Sequence, residues 1–389
     1  MNPALQKTLV FLLLIGVGYL LQKKISGKQD LKGVKVLILS VILPATIFVA
    51  LLKINISAEL FLLPISALAL NFALFYAARP ILPKLGFTAD SKDWRTMLML
   101  VPSLAPGLSC FPFVMEYLGD EALAMAALSD VGNKIFVLII LYLIAMNWYY
   151  ASKADREGAV ASPNRKSKLK DLGLSLLREP VNLVIVAAIG MLCFGFNINT
   201  LPAFLETTAL RLAALMTPIV LLFIGMAVRF ERREMVMILR VLAFRSGAGL
   251  LLSGLALLVL PAMAPTLALL LVIFPQSAVS FWPFAHMSAV EGLRKEGDKS
   301  IFNIDLALNV LACSLPFSTV VILSVLSFGE VFASPTAVIV LGVSLLTIPL
   351  VFILKTSTSG KIEKTAKTVK MQANPSARKH ITAGSTSKG

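Results

Sequence analysis

Apolar runs long enough to cross a bilayer recur from one end of the sequence to the other, and they constrain the fold more than any motif does. A hydrocarbon core about 30 Å thick needs roughly 20 residues of helix to span it. Stretches of about that length occur at 4–21, 34–53, 58–78, 96–118, 122–148, 180–196, 208–228, 237–260, 266–290, 303–328 and 335–354. Charged residues supply 15% of the 389 residues and hydrophobic ones 57%, against roughly 25% charged in a soluble domain. The expected fold class is therefore all-α and integral to a membrane. The net charge of +15 does not point to nucleic acid, because Lys and Arg lie in the breaks between runs, where membrane lipids are the natural partner. Cys110, Cys193 and Cys313 fall in three separate runs with no second ligand at a metal spacing. No disulfide, metal or other cofactor is expected. The first run follows Lys7 alone and precedes Lys23 and Lys24, the reverse of a cleaved signal, so it reads as a retained helix.

The breaks alternate in charge. Lys23, Lys24, Lys28 and Lys32 fill the first, Arg79, Lys84, Lys92 and Arg95 the third, and a run from Lys153 to Arg178 the fifth. Arg229, Arg232 and Arg233 continue the pattern in the seventh, and Arg294, Lys295 and Lys299 in the ninth. Since basic residues concentrate on the cytoplasmic side of short loops, the N-terminus is expected outside and the C-terminus in the cytoplasm, in the cell (inner) membrane. The polar linker 151–178 divides the chain into a first five-helix unit, 1–150, and a second, 179–328. An extra span at 329–355 and a basic tail at 356–389 follow. The units share punctuation: Pro44 of the second run matches Pro218 of the seventh, and Pro102, Pro106 and Pro112 of the fourth match Pro275 and Pro283 of the ninth. An odd number of spans per unit turns the second copy upside down, which is the inverted-repeat plan of secondary transporters.

The fourth and ninth runs carry the chemistry. A mid-membrane proline removes a backbone hydrogen bond that lipid cannot replace, and Pro106 and Pro275 each lie about ten residues into their runs, near the midplane at 1.5 Å per residue. Half-helices restarting near Gly107 and Gln276 would aim amide ends at the bilayer centre, where an anion is favoured, while the preceding carbonyl ends suit a cation. Ser103, Ser109, Gln276, Ser277 and Ser280 are the polar side chains beside these breaks. Asp130 and Lys134 stand four apart on one face of the fifth run, with Asn133 beside them. The pair is either a neutralised packing contact or a coupling site for a proton or cation. Asp305 and Asn309 are the matching polar positions of the tenth run; Asp305 also suits a helix start. Asn71 is expected to make a packing hydrogen bond and His286 to be structural. Arg240 and Arg245 are expected to snorkel to the headgroups.

The segments LPATIFVALL, DVGNKIFVLII, REPVNLVIVAAIGMLCFGFNINTLP, TPIVLLFIGMAV and FPQSAVSFWPFAHM resemble the auxin efflux carrier family, whose members include plant PIN exporters and bacterial permeases. The resemblance spans residues 5–328 and implies ten spans in two inverted repeats, with a scaffold set moving against a transport set whose fourth and ninth helices cross at prolines beside the substrate. The bile acid sodium symporters share that plan. Plant PIN exporters place asparagine at the crossing where this chain has serines and Gln276, so auxin is not the expected substrate. The function expected is efflux of a small organic anion such as a carboxylate, aided by about 2.3 kcal/mol per charge for each 100 mV of inside-negative potential. The alternatives are sodium- or proton-coupled uptake and a non-transporting sensor. An enzyme is not expected, because Asp130 and Asp305 lack the glycine and tyrosine contexts of an intramembrane protease. A homodimer is compatible with the pattern.

Overall fold

The computed structural model describes residues 3–25, 28–53, 60, 62–157, 180–227, 235–260, 263–294 and 299–351. Most of the 151–178 linker, the loop arginines Arg229, Arg232 and Arg233, and the basic tail lie outside them. The described residues form helices and no strand. In chain order these are α1 (Pro3–Leu21), α2 (Asp30–Leu51), α3 (Leu62–Ile81), α4 (Lys92–Leu100), α5 (Phe111–Ser152), α6 (Pro180–Cys193), α7 (Ala203–Ala227) and α8 (Met235–Val259). They continue with α9 (Pro265–Ile273), α10 (Phe281–Gly292), α11 (Ile304–Ser327) and α12 (Pro335–Val351). Seven helical stretches are long and apolar enough to cross a bilayer: α2, α3 with the turn after it, α5, α7, α8, α9 joined to α10, and α11. Shorter apolar helices are α1, α6 and α12. Leu13, Val186, Val259 and Val320 are exposed on them, a surface suited to lipid and costly in water. The chain is a multi-pass helical membrane protein.

Several helices depart from regular geometry, each for a local reason. In α2 the ladder widens into a π-turn over Ile38–Ile42 just before Pro44, whose ring lacks an N–H and crowds the preceding turn. A second π-turn covers Phe136–Ile140 in α5, directly after Asn133 and Lys134. The 42-residue α5 is two limbs, 111–118 and 120–152, because Gly119 sits at φ 88°, ψ −176°, a conformation essentially reserved for glycine. There the fourth run gives way to the fifth.

Small residues let backbones touch. In α5, Gly132 lies against the Pro64 carbonyl of α3, where any Cβ would collide with main-chain atoms. α1 and α7 meet through Gly18 and Gly225 in the same manner, and Gln22 of α1 donates to the carbonyls of Gly225 and Met226 at 3.0 and 3.2 Å. α12 crosses α8 at Gly247 and Gly342.

Two hydrophobic clusters fill the interior. One joins α1, α2, α6, α7, α9, the first limb of α5 with the start of its second limb (Ala122 to Leu128), and the C-terminal part of α11. The other joins α4, α10, the π-turn of α5 and the part of its second limb after it, and the N-terminal parts of α8 and α11. The non-helical segments 101–105 and 277–280 lie where the two clusters meet, with Leu104 in the first and Val101 and Val279 in the second.

Candidate functional site: two broken helices that meet

Neither break is loose, because nearby side chains take up the backbone groups that the missing helical turns would have used. α4 stops at Leu100, and Ser103 closes its end by donating its hydroxyl to the Leu100 carbonyl at 2.7 Å. α9 runs into a 3₁₀ turn, Phe274–Gln276, and Ser277 closes it by donating to the Phe274 carbonyl at 2.6 Å. The segments beyond meet backbone to backbone, the Ala105 N–H donating to the Ala278 carbonyl at 2.8 Å. Three serine hydroxyls accept the next amides: Ser109 from Ala278 at 2.8 Å, Ser314 from Val279 at 3.2 Å and Ser103 from Ser280 at 3.2 Å. A hydroxyl can do this because it donates and accepts at once. Ser109 and Ser314 give their own protons to the Ala105 and Leu311 carbonyls.

Asn133 holds the other side of the break. Its Oδ1 accepts from the Leu104 N–H at 3.3 Å and its Nδ2 donates to the Leu104 carbonyl at 2.9 Å, so one side chain satisfies a whole peptide residue. The same Nδ2 donates to Asp130 Oδ1 at 2.8 Å, and Asn71 Nδ2 donates to Asn133 Oδ1 at 2.8 Å. Asp130 Oδ2 then pairs with Lys134 Nζ at 3.2 Å, and Lys134 reaches Asn182 Oδ1 of α6 at 3.3 Å. The chain Asn71, Asn133, Asp130, Lys134, Asn182 is buried throughout and ties α3, α5 and α6 to the break. Asn71 Oδ1 is buried with no hydrogen-bond partner among the described residues.

Arg245 overturns one sequence expectation. Rather than snorkelling, it is buried at 3% exposure, donating Nε to the Val101 carbonyl at 2.9 Å and Nη2 to the Ser103 carbonyl at 3.0 Å. Those carbonyls lie at the C-terminal end of α4, where the helix dipole favours a cation. The next residue, Ser246, donates to the Gln276 side chain, and Ser318 of α11 donates to the Gln276 carbonyl. Adjacent residues of α8 thus grip both breaks.

Of the expected site residues, Ser103, Ser109, Asn133, Asp130, Gln276 and Ser277 are brought together and buried. Pro106 opens the short helix Pro106–Ser109, and Pro275 lies in the 3₁₀ turn. The second half of the ninth run restarts at Phe281, not near Gln276, because residues 277–280 are non-helical and Ser280 caps the new helix by accepting from the Trp282 N–H at 3.3 Å. Asp305 is exposed in the first turn of α11, which Asn303 rather than Asp305 caps, and Asn303 also binds Asp93 at the start of α4. Asp93 is seven residues before Leu100, so this contact lies about 10 Å from the break at 1.5 Å per residue. Asn309 is half-buried on α11, one turn beyond Asp305. His286 bonds the Val137 carbonyl at 3.0 Å inside the π-turn. Arg245, Ser246, Asn182, Ser314 and Ser318 were not singled out as ligands by sequence. The four-residue spacing of Ser314 and Ser318, which puts both on one face of α11, was the available signal.

Breaking the Asp130–Lys134 pair one partner at a time is expected to be costly. Asp130→Asn or Lys134→Met alone should destabilise the protein by about 3–5 kcal/mol, because the other charge is stranded in a dry site. The double variant should recover most of the loss. A double-mutant cycle by unfolding in detergent measures this, and additive losses would contradict the pairing.

No protein-family model matches the chain, and no curated protein matches it.

Proposed function

We propose that the protein is a secondary transporter that moves a small organic anion, such as a carboxylate, by alternating access around the meeting of the two broken helices. The observation that carries this reading is the Ala105 to Ala278 backbone bond, which joins two interrupted spans within one apolar bundle. Broken spans survive in a bilayer where protein or a wet cavity covers them, and transporters use them to build sites at the midplane. The two breaks also repeat a pattern that favours two inverted five-helix repeats with an eleventh span. Ser103 and Ser277 each close a helix end three residues back, while Asn133 and Ser314, on the helices that follow the breaks, each hold a break amide. This plan fits the resemblance to the auxin efflux carrier family, with a cytoplasmic C-terminus and export driven by the membrane potential. Coupled uptake is the second reading; Asn71 Oδ1, without a hydrogen-bond partner among the described residues and on the same Asn133 that binds Asp130, favours it.

Phe281 supplies the test. It is half-exposed at the first turn of α10, with Lys35 of α2 above its ring at 4.5 Å. With Cys110, Cys193 and Cys313 replaced by Ser, Phe281→Cys is expected to react with a membrane-impermeant thiol reagent from both sides of sealed vesicles. Reaction from one side only, with every solute tried, would contradict alternating access.

A further inference from the structure

Three charged side chains are buried among the described residues: Asp130, Lys134 and Arg245. Asp130 is committed to Lys134 at 3.2 Å. Arg245 has no such partner, since its hydrogen bonds run to the Val101 and Ser103 carbonyls and no carboxylate among the described residues pairs with it. Among the described residues two buried cations therefore stand against one buried anion. Arg245 follows the first described residue of α8, Met235, by ten positions. At 1.5 Å per residue that places it about 15 Å along the helix, roughly half the depth of a hydrocarbon core. A guanidinium is always charged and carries five N–H donors in a planar fork suited to a carboxylate or sulfonate.

We propose that Arg245 is the fixed cation of the transport site, which makes the protein selective for solutes with a single negative charge and independent of sodium. This rests on the transport reading above and deepens it. The argument has two parts. First, the interior without solute has one positive charge in excess. A monoanion cancels it, a dianion leaves a net negative charge at the same depth, and a neutral solute leaves the guanidinium uncompensated, so a dry, low-dielectric site discriminates by charge number as well as shape. Second, the carbonyl oxygens that end a broken half-helix are where such folds seat a coupling cation. At the end of α4 two of these oxygens are already held by Arg245, with 2.9 and 3.0 Å contacts, so the protein's own cation occupies the seat. At the other break the donors among the described residues are neutral: Ser277 at the Phe274 carbonyl, Ser318 at the Gln276 carbonyl and Ser246 at the Gln276 side chain.

The test is thermal unfolding of the purified full-length protein in detergent, with probes matched in shape and differing in charge: propionate, succinate and propionamide, then benzoate, terephthalate and benzamide. Each is run at equal ionic strength in potassium and in sodium buffer. The expected result is a midpoint raised by several degrees by a monoanion, equal in the two buffers, and raised at least threefold less by the dianion and the amide of its series. Arg245→Gln is expected to need at least ten times more monoanion for the same rise, and Arg245→Lys to stay within about threefold of wild type. If Arg245 only closed the end of α4, Arg245→Gln would lower the midpoint of the solute-free protein without altering which charge class stabilises it. Should Arg245→Gln fail to fold, the wild-type charge series and Arg245→Lys still decide. Stabilisation that needs sodium, stabilisation by dianions or amides as strong as by monoanions, or no stabilisation by any probe would overturn the proposal. Solute counterflow in proteoliposomes separates the two readings: charge-selective stabilisation with no flux upholds the role of Arg245 and sinks transport.

Discussion

Replacing Asn133 with Leu is expected to destabilise the protein by about 3–6 kcal/mol, the largest effect of any single polar substitution. Leucine matches asparagine in size but makes no hydrogen bond, so the Leu104 N–H and C=O both lose the partners they have at 3.3 and 2.9 Å. Leu104 is buried and its residue is not in a helix, so neither group has a ladder to fall back on. Each buried group left unsatisfied costs about 1–3 kcal/mol. Asp130 and Asn71 lose one hydrogen bond each as well, which weakens a network whose members polarise one another. Ser109→Ala, which strands the Ala278 N–H and removes the hydroxyl's bond to the Ala105 carbonyl, should cost about 1–3 kcal/mol. Unfolding midpoints in detergent compare the two, and a loss under about 1 kcal/mol for Asn133→Leu would mean that the clamp on Leu104 is dispensable.

Gly132→Ala is the second large effect. A methyl group there would lie inside the Pro64 carbonyl of α3, and that neighbour is main chain, which cannot rotate away. α3 and α5 must separate. The separation strains the Asn71 to Asn133 bond next to it, since Asn71 is seven residues, about two turns, beyond Pro64 on α3 and Asn133 follows Gly132 directly. Overpacking of this kind costs about 3 kcal/mol where the backbone is the obstacle. Gly16→Ala is the control, because a Cβ at Gly16 meets nothing within 4 Å. It should stabilise α1 by about 0.5–1 kcal/mol through backbone entropy. Equal effects from the two glycines would contradict the close packing of α3 on α5.

The sequence made the apolar runs, their proline punctuation and the Asp130–Lys134 spacing legible, because each is a local property of a dozen residues or fewer. What it hid was non-local. Arg245 looks like an interface residue when its helix is read alone; its carbonyl partners lie just past the end of α4, 144 and 142 positions away in sequence. The restart at Phe281 has a local signal. Ser280 followed by Pro283 is a start signal, a capping hydroxyl with a proline in the first turn where no amide is needed. Gly119 was legible only as part of a short polar break, and its φ of 88° explains why the break takes a single glycine between two helical limbs. Asp305 and Asn309 match Asp130 and Asn133 by repeat position, with a spacing that differs by one residue, whereas the side chains of that helix that contact the second break are Ser314 and Ser318.

Solute counterflow tests the central proposal most directly. Proteoliposomes loaded with an unlabelled monoanion and diluted into a labelled trace of the same solute are predicted to accumulate label transiently, in potassium as well as in sodium buffer. Ser109→Ala should slow that accumulation and protein-free vesicles should show none. Label in wild-type vesicles no higher than in protein-free ones, across carboxylates and sulfonates of several sizes, would contradict the account.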